Sequence, residues 1–475
     1  MDEKYDVVVI GAGIGGLVCG CYLAKAGLKV LIAEQHYQPG GYCTSFKRNG
    51  YIFDVGVHYL GSMREGGVLR KILIELGILD RMEIIINDPT DRIMMPDKTI
   101  YVRKDKLKTK EELIAHFPHE KENISNFFDF VLNTDFLTLV SKTGKITFEK
   151  FLNAYFTDYK LKGILSVPLV SIGLPPSKIS ALPSVVLFKE YIFDGGYYPK
   201  GGIQVFPDLL AQRFKEFGGK LLLSTKAEKI LVQHKKVTGV KLANGETVST
   251  KFVVSNADAT ATFTELLKRR SIEAKMVEKL EPSISSFIVY LGINRELNIE
   301  PKHYTTCLYT TYDIEKCYDK KRDLLKTLQY NYMLCTFAAL IDPTLAPLGK
   351  SSIRIFTEVN YAPKKRWEDK RDEVAQNAIK MVGTLVPDVH RHIDHIETAT
   401  PHTLIRYTSN RDGALYGWSV IPKQVGLKVF PPHTSIENLY LAGHWVTHGA
   451  GQGGVSPSAF SGKIASRLIL RKSTS

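Results

Sequence analysis

The sequence predicts an α/β protein: a Rossmann-like dinucleotide-binding domain interrupted by an inserted α+β domain. Three observations carry that prediction. Residues 5–34 spell strand, glycine turn, helix, strand and terminal acid. The same strand-and-helix alternation resumes near residue 195 and again near residue 432. The chain has 475 residues, more than one hydrophobic core usually holds, so two or three domains are expected.

The opening unit justifies itself residue by residue. The apolar run 7–10 leads into Gly11-Ala12-Gly13-Ile14-Gly15-Gly16. Gly11 permits a tight turn, Gly13 lets backbone approach a pyrophosphate, and Gly16 lets helix and strand pack closely. The helix start offers free N–H groups and a positive dipole to phosphates. A second apolar run, 30–33, ends in Glu34, 23 residues after Gly11, where an acid can take ribose hydroxyls. Such glycines alone also occur in ordinary turns. With both strands and the acid they mark a site for FAD or NAD rather than NADP. The second glycine pair in Pro39-Gly40-Gly41 suits the larger cofactor, FAD.

A strand pair follows and ends in Tyr51-Ile52-Phe53-Asp54-Val55-Gly56-Val57-His58-Tyr59. Helices are expected over 68–79 and 110–116, with short strands near Ile84 and Ile100. Gly201-Gly202 leads a helix over 205–217, which Gly218-Gly219 terminates. Strands are expected over 220–224, 227–234, 237–243 and 251–255, with Asn244-Gly245 as a hairpin turn. Farther on, strands 286–292 and 352–359 alternate with a helix over 373–386. A strand over 438–442 and a helix over 456–470 close the chain. The FAD-binding domain is thus expected from residues 1–70, 195–265 and 432–475. A substrate- or membrane-facing domain is expected from 71–194 and 266–431.

A second G-x-G-x-x-G, Gly449-Ala450-Gly451-Gln452-Gly453-Gly454, makes no second nucleotide site. No strand and no ribose acid follow its helix. It fits better as a loop pressed on the cofactor, with the following helix aiming its positive end at the flavin N1 and C2 carbonyl.

The chain resembles the phytoene desaturase, carotenoid isomerase and retinol saturase group of FAD flavoproteins, which share the amine-oxidase (GR2) type of fold. The matching segments are the opening unit, Pro39-Gly40-Gly41, residues 53–61, Tyr198-Pro199-Lys200-Gly201-Gly202, residues 253–258, and residues 438–443 through Ser461-Gly462. His58-Tyr59 is most similar to the retinol saturase and carotenoid isomerase branch. Residue chemistry and resemblance together put FAD against Gly11, Gly13, Ile14, Gly15, Gly16, Glu34, Gly40, Gly41, Gly443, His444, Gly453, Gly454 and Val455. Two positions depart from the pattern. Tyr42 stands where many relatives carry Arg, and His444 where many carry an acid for the ribityl chain.

The resemblance implies a hydrophobic polyene or lipid substrate in a tunnel between the domains. A hydride would leave or enter an allylic carbon in desaturation, saturation or cis–trans isomerisation. The alternatives are an amine or amino-acid oxidase, with Arg406 as a carboxylate clamp, and a non-catalytic flavin- or lipid-binding protein. His58, Tyr59 and His444 lead the candidate catalytic side chains; His402, Arg406, Tyr416 and Trp418 follow.

Composition narrows the rest. Charged residues are 24% and hydrophobic residues 44%, as in folded globular proteins. No apolar run reaches the 18 residues of a spanning helix, and no secretory signal opens the chain, so a cytoplasmic protein is expected. The net charge of +14 comes without a basic, aromatic-interleaved motif, so nucleic acid is not an expected partner. Residues 151–193 set Lys160, Lys162, Lys178 and Lys189 around apolar runs. That segment either faces a membrane or forms a buried helical layer. Six scattered cysteines lack metal-ligand spacing, so no metal and reduced, packed thiols are expected. Without Gly-x-Ser-x-Gly or His-Glu-x-x-His, hydrolysis has no support. The sequence names no electron acceptor.

Overall fold

The computed structural model describes residues 4–269, 271–318, 323–426, 430–446 and 453–473. In chain order, β1 (Tyr5–Ile10) and β2 (Val30–Ala33) flank the helix Ile14–Lys25. Next come β3 (Ser45–Arg48), β4 (Tyr51–Asp54), β5 (Ile84–Ile86), β6 (Asp91–Met94) and β7 (Thr99–Val102). After a helical stretch come β8 (Tyr197–Pro199), β9 (Lys220–Leu222), β10 (Ala227–Gln233), β11 (Lys236–Leu242) and β12 (Thr247–Ser255). The remaining strands are β13 (Ser285–Ile293), β14 (Thr305–Tyr309), β15 (Tyr332–Thr336), β16 (Ser351–Val359), β17 (Ile393–Ala399) and β18 (Leu439–Leu441).

Two large sheets organise the described residues. The first runs β10-β11-β12-β1-β2-β9, with β18 added on β12. Its centre is parallel, Val8 standing opposite both Leu31 and Val253. Apolar side chains alternate across it. Val7 and Val9 join the core under the helices Ile14–Lys25 and Val455–Ser473, while Val8 and Ile10 pack with Trp418 and Trp445 on the other face. The second sheet runs β17-β13-β16-β15-β14-β6-β7 and is mostly antiparallel. Phe287, Val289 and Leu291 cover the helix Lys364–Val382, with Phe287 stacked on Trp367 at 5.2 Å. Ile288, Tyr290 and Phe356 turn the opposite way, into the main core.

Several boundaries differ from expectation for local reasons. The helix Val68–Leu76 stops early because Gly77 adopts a left-handed conformation, φ 67°. The helix Lys106–His116 starts early because Asp105 caps it, accepting from the Leu107 N–H. The helix Lys364–Val382 starts and ends before the expected 373–386, entering directly after Pro363. β12 is longer than expected because it serves two partners: Ser249 pairs with Gly239 of β11, and Phe252 with Val7 of β1. Residues 151–193 form a largely buried layer of short helices. There Lys160 pairs with Asp97 and Lys162 donates to Asn153. Exposed apolar side chains gather earlier, at Phe136, Leu137 (78% exposed) and Val140 on the helix Phe136–Thr143. No described helix is long and apolar enough to cross a membrane. The six cysteines are free thiols, all but Cys317 buried.

Candidate functional site

The carboxyl ends of β1 and β2 and the residue after β12 open onto a cavity of about 370 Å³. Ligands bind at this edge in open α/β sheets generally. The glycine turns form one wall; Ile288, Leu334, Arg354 and Phe356 of the second sheet form another. The volume falls within the range of small-molecule sites.

The glycine wall is a cradle for a phosphate-bearing group. The helix Ile14–Lys25 begins at Gly13 with no capping side chain, so its first N–H groups are open to a ligand. Gly11, Gly13, Ile14 and Gly15 line the cavity. Gly16 does not; a Cβ there would collide with the Gly11 carbonyl, so its role is close packing of helix on turn. Gly40 donates to the Ala12 carbonyl at 2.9 Å, which fixes the second glycine pair, Gly40-Gly41, beside the first. Glu34 also faces the cavity. Its Oε2 accepts from the Ala12 N–H at 2.6 Å and its Oε1 from the His36 N–H at 2.8 Å. Burial raises its pKa against those backbone donors.

Residues from the far end of the chain complete this wall. A Cβ on Gly15 would lie 2.6 Å from the Gly443 nitrogen. Gly443, His444, Gly453, Gly454 and Val455 all line the cavity. Gly449 and Gly451 lie outside the described residues. His444 Nε2 is 3.3 Å from Asn410 Nδ2, and its ring is 5.9 Å from that of Tyr42. Withdrawal from water lowers its pKa to about 4, so the ring is neutral at pH 7.

His58 and Tyr59 stand at the junction of the two walls. His58 Nε2 shares a hydrogen bond with the Tyr191 hydroxyl at 2.8 Å. Desolvation first, and the nearby Arg354 charge second, lower its pKa to about 3. Tyr59 stacks on Tyr191 at 4.5 Å and donates to Asp91 Oδ2 at 2.7 Å. Burial pushes the Asp91 carboxyl up to about 7. The two histidines are therefore fixed dipoles at neutral pH, and Asp91 is the group near titration.

The remaining candidates separate. Tyr416 lines the cavity and donates to the Val170 carbonyl at 3.0 Å. Trp418 is buried away from it, donating to the Trp445 carbonyl. His402 bonds the Ala362 carbonyl at 2.9 Å, and Arg406 lies exposed over Tyr407. Arg406 is thus no clamp: its helix presents Leu404 and Tyr407, not the guanidinium, to the cavity.

Two cavity residues escaped sequence reasoning. Asn256 follows β12, donates to the Gly11 carbonyl at 3.4 Å, and leaves Oδ1 enclosed without a partner. Its position just past a central parallel strand was the available signal. Arg354 sits within an apolar strand run, where a lone cation is itself a signal. Among the described residues, no three metal-ligating side chains are gathered.

Known proteins resemble this chain over nearly its whole length. The family model described as flavin containing amine oxidoreductase matches residues 14–470. Prolycopene isomerase 1, chloroplastic, of an Oncidium hybrid cultivar is 31% identical, over 98% of this chain and 84% of that protein. The 4,4'-diapophytoene desaturase (4,4'-diapolycopene-forming) of Methylomonas is 26% identical, over 99% and 96%. The all-trans-retinol 13,14-reductase of Rattus norvegicus is 26% identical, over 93% and 82%.

Proposed function

The chain belongs to the flavin containing amine oxidoreductase family, and on that premise we propose that it binds FAD and acts on a hydrophobic polyene isoprenoid, a carotenoid or retinoid. The reaction is a desaturation, a saturation or a cis–trans isomerisation. One observation carries the proposal: a single cavity joins an uncapped helix start, suited to a pyrophosphate, to a wall built from Ile288, Leu334 and Phe356, suited to a hydrocarbon chain. The three relatives' names refer to carotenoid and retinol chemistry, which supports the same substrate class.

Each set of residues has a part. The Gly11–Gly16 turn takes the pyrophosphate, and Glu34 the adenosine ribose. Gly443 and Gly453-Gly454-Val455 face the isoalloxazine end. The cofactor supplies two-electron redox chemistry at N5. The second-sheet wall holds the polyene and excludes water. Neutral His58 and His444 add no charge to that space, while Tyr59 keeps its proton on the hydrogen bond to Asp91. An amine substrate fits less well. The second sheet offers the cavity the Arg354 cation, which repels an ammonium group, and Glu190 is engaged by Arg64 at 2.7 Å.

The test is conversion. Purified, FAD-loaded protein is incubated with cis-carotenoids, retinol and amines under oxidising and reducing conditions, and products are resolved by chromatography. A changed polyene is expected. Anaerobic bleaching of the flavin by amines, with every polyene recovered intact, overturns the reading.

We also assign membrane contact to Phe136, Leu137 and Val140. Their helix packs on the helix Ala181–Leu187, which presents Pro183, Val186 and Leu187 to the cavity. An apolar substrate could pass from bilayer to cavity at this place. Leu137→Ser should reduce co-flotation with lipid vesicles; unchanged flotation removes the assignment.

A further inference from the structure

We infer that Arg354 is a specificity residue that receives a carboxylate at one end of the apolar chain filling the cavity, so that the preferred substrate class is a conjugated carboxylic acid. The inference rests on the polyene reading above.

Arg354 occupies the middle of β16, opposite Tyr290 of β13 and Thr336 of β15. It lines the cavity yet is only 5% exposed. Nη2 donates to the Gly56 carbonyl at 3.2 Å. Nε and Nη1 are buried and have no hydrogen-bond partner. The guanidinium carbon lies 5.4 Å from the Phe356 ring, a contact that leaves those N–H groups unmatched.

No described acid answers this charge. Asp54 feels it, but Asp54 Oδ1 accepts from Ser45 Oγ and the Ile203 N–H, and Oδ2 from the Tyr198 hydroxyl. Glu358, farther along β16, accepts from the Tyr332 hydroxyl at 3.0 Å, and burial pushes its carboxyl up to about 8. A guanidinium does not shed its proton to escape burial. Unpaired in an apolar wall, it is among the costliest groups a fold can keep. Buried donors without partners on a charged group call for an explanation, and a ligand group is one.

The ligand chemistry follows from the charge. A hydroxyl or carbonyl oxygen would accept a hydrogen bond but leave the cation uncompensated. A carboxylate cancels the charge and accepts from the guanidinium. The glycine turns offer the cofactor phosphates a cradle of their own. A hydrocarbon end offers Arg354 nothing.

The experiment uses the FAD-loaded full chain and matched polyenes of one length ending in a carboxylate, a hydroxyl or a methyl group. Affinity is read from tryptophan-fluorescence quenching for the unaltered protein, Arg354→Gln and Arg354→Lys, with the flavin spectrum recorded for each. The unaltered protein should bind the acid about ten- to a hundredfold more tightly than the hydrocarbon. Arg354→Gln should lose that preference, binding acid and hydrocarbon alike, and Arg354→Lys should keep part of it, with flavin content unchanged in both. Equal affinities in the unaltered protein overturn the inference and spare the polyene reading. So does a preference that persists in Arg354→Gln, or flavin loss in both variants, which would assign Arg354 to the cofactor. Failure of every polyene to bind removes the reading and the inference together. If Arg354→Gln does not fold, the unaltered protein's preference and Arg354→Lys decide.

Discussion

Gly15 is where the beginning and the end of the chain come closest, and its missing side chain makes that possible. A methyl group there would lie 2.6 Å from both the Gly443 nitrogen and Asn256 Oδ1. Backbone must move to relieve such a contact, and the moving backbone belongs to the cavity wall. Gly15→Ala should therefore keep its fold but weaken FAD retention by about tenfold or more, a loss of ~1.4 kcal/mol. The ratio of flavin to protein absorbance after gel filtration measures this. Asp91 makes a different prediction. Its carboxyl titrates near 7 in the folded protein against about 4 in an unfolded chain. Between those values the folded state holds the extra proton, so stability falls as pH rises from about 4 to 7 and levels off above that. Asp91→Asn cannot titrate. Relative to it, the unaltered protein should lose about 1–3 kcal/mol between pH 5 and pH 8 in urea unfolding. Parallel pH profiles for the two proteins would remove this account of the Tyr59–Asp91 pair.

Helix against helix, the fold depends on a second close approach. Gly462 of the helix Val455–Ser473 abuts the Gly15 carbonyl and the Cys19 nitrogen of the helix Ile14–Lys25, with no room for a Cβ. Gly462→Val should push the helices apart, cost about 1–3 kcal/mol in urea unfolding, and lower flavin content through the displaced glycine turn. An undiminished midpoint with full flavin content would show that this packing is soft. The two ends of the chain were legible in the sequence because their chemistry is local: glycines permit the turn, and Glu34 terminates a strand beside it. Of the candidate residues, His58, Tyr59, Tyr416 and His444 line the cavity, whereas Gly16, His402, Arg406 and Trp418 do not. Elements whose limits depend on distant partners were less legible. β12 owes its length to β11 on one side and β1 on the other, and periodicity shows neither neighbour. Arg354 showed in the sequence only as a lone cation in an apolar strand run, and what it faces was not legible there. Its partner is the Gly56 carbonyl, 298 positions away, and no spacing rule links them. Arg406 looked equally apt as a cation in sequence, but the turn of its helix carries it outward.

At the scale of the molecule, the cavity is lined by two sheets that share one core and each pack a further core on the other face. The first sheet supplies backbone donors and glycines; the second supplies the apolar wall and a buried cation. A cofactor filling this cavity would meet segments far apart in sequence, Gly11 to Gly15, the 40–41 pair, Gly443-His444 and Gly453-Gly454-Val455. It must therefore stabilise the assembly as well as fill it. A ligand that binds only the folded state adds RT ln(1 + [L]/Kd), ~2.7 kcal/mol when free FAD stands at about a hundred times its Kd. Stripping the flavin should lower the thermal midpoint by several degrees, and added FAD should restore it. Adenosine diphosphate, which can occupy only the glycine cradle, should restore a smaller part. Gly15→Ala should respond weakly to either ligand, since the cradle is what it distorts. Should stripped protein melt at the same temperature with and without FAD, the chain ends would not meet around that cofactor, and the glycine wall would need another occupant.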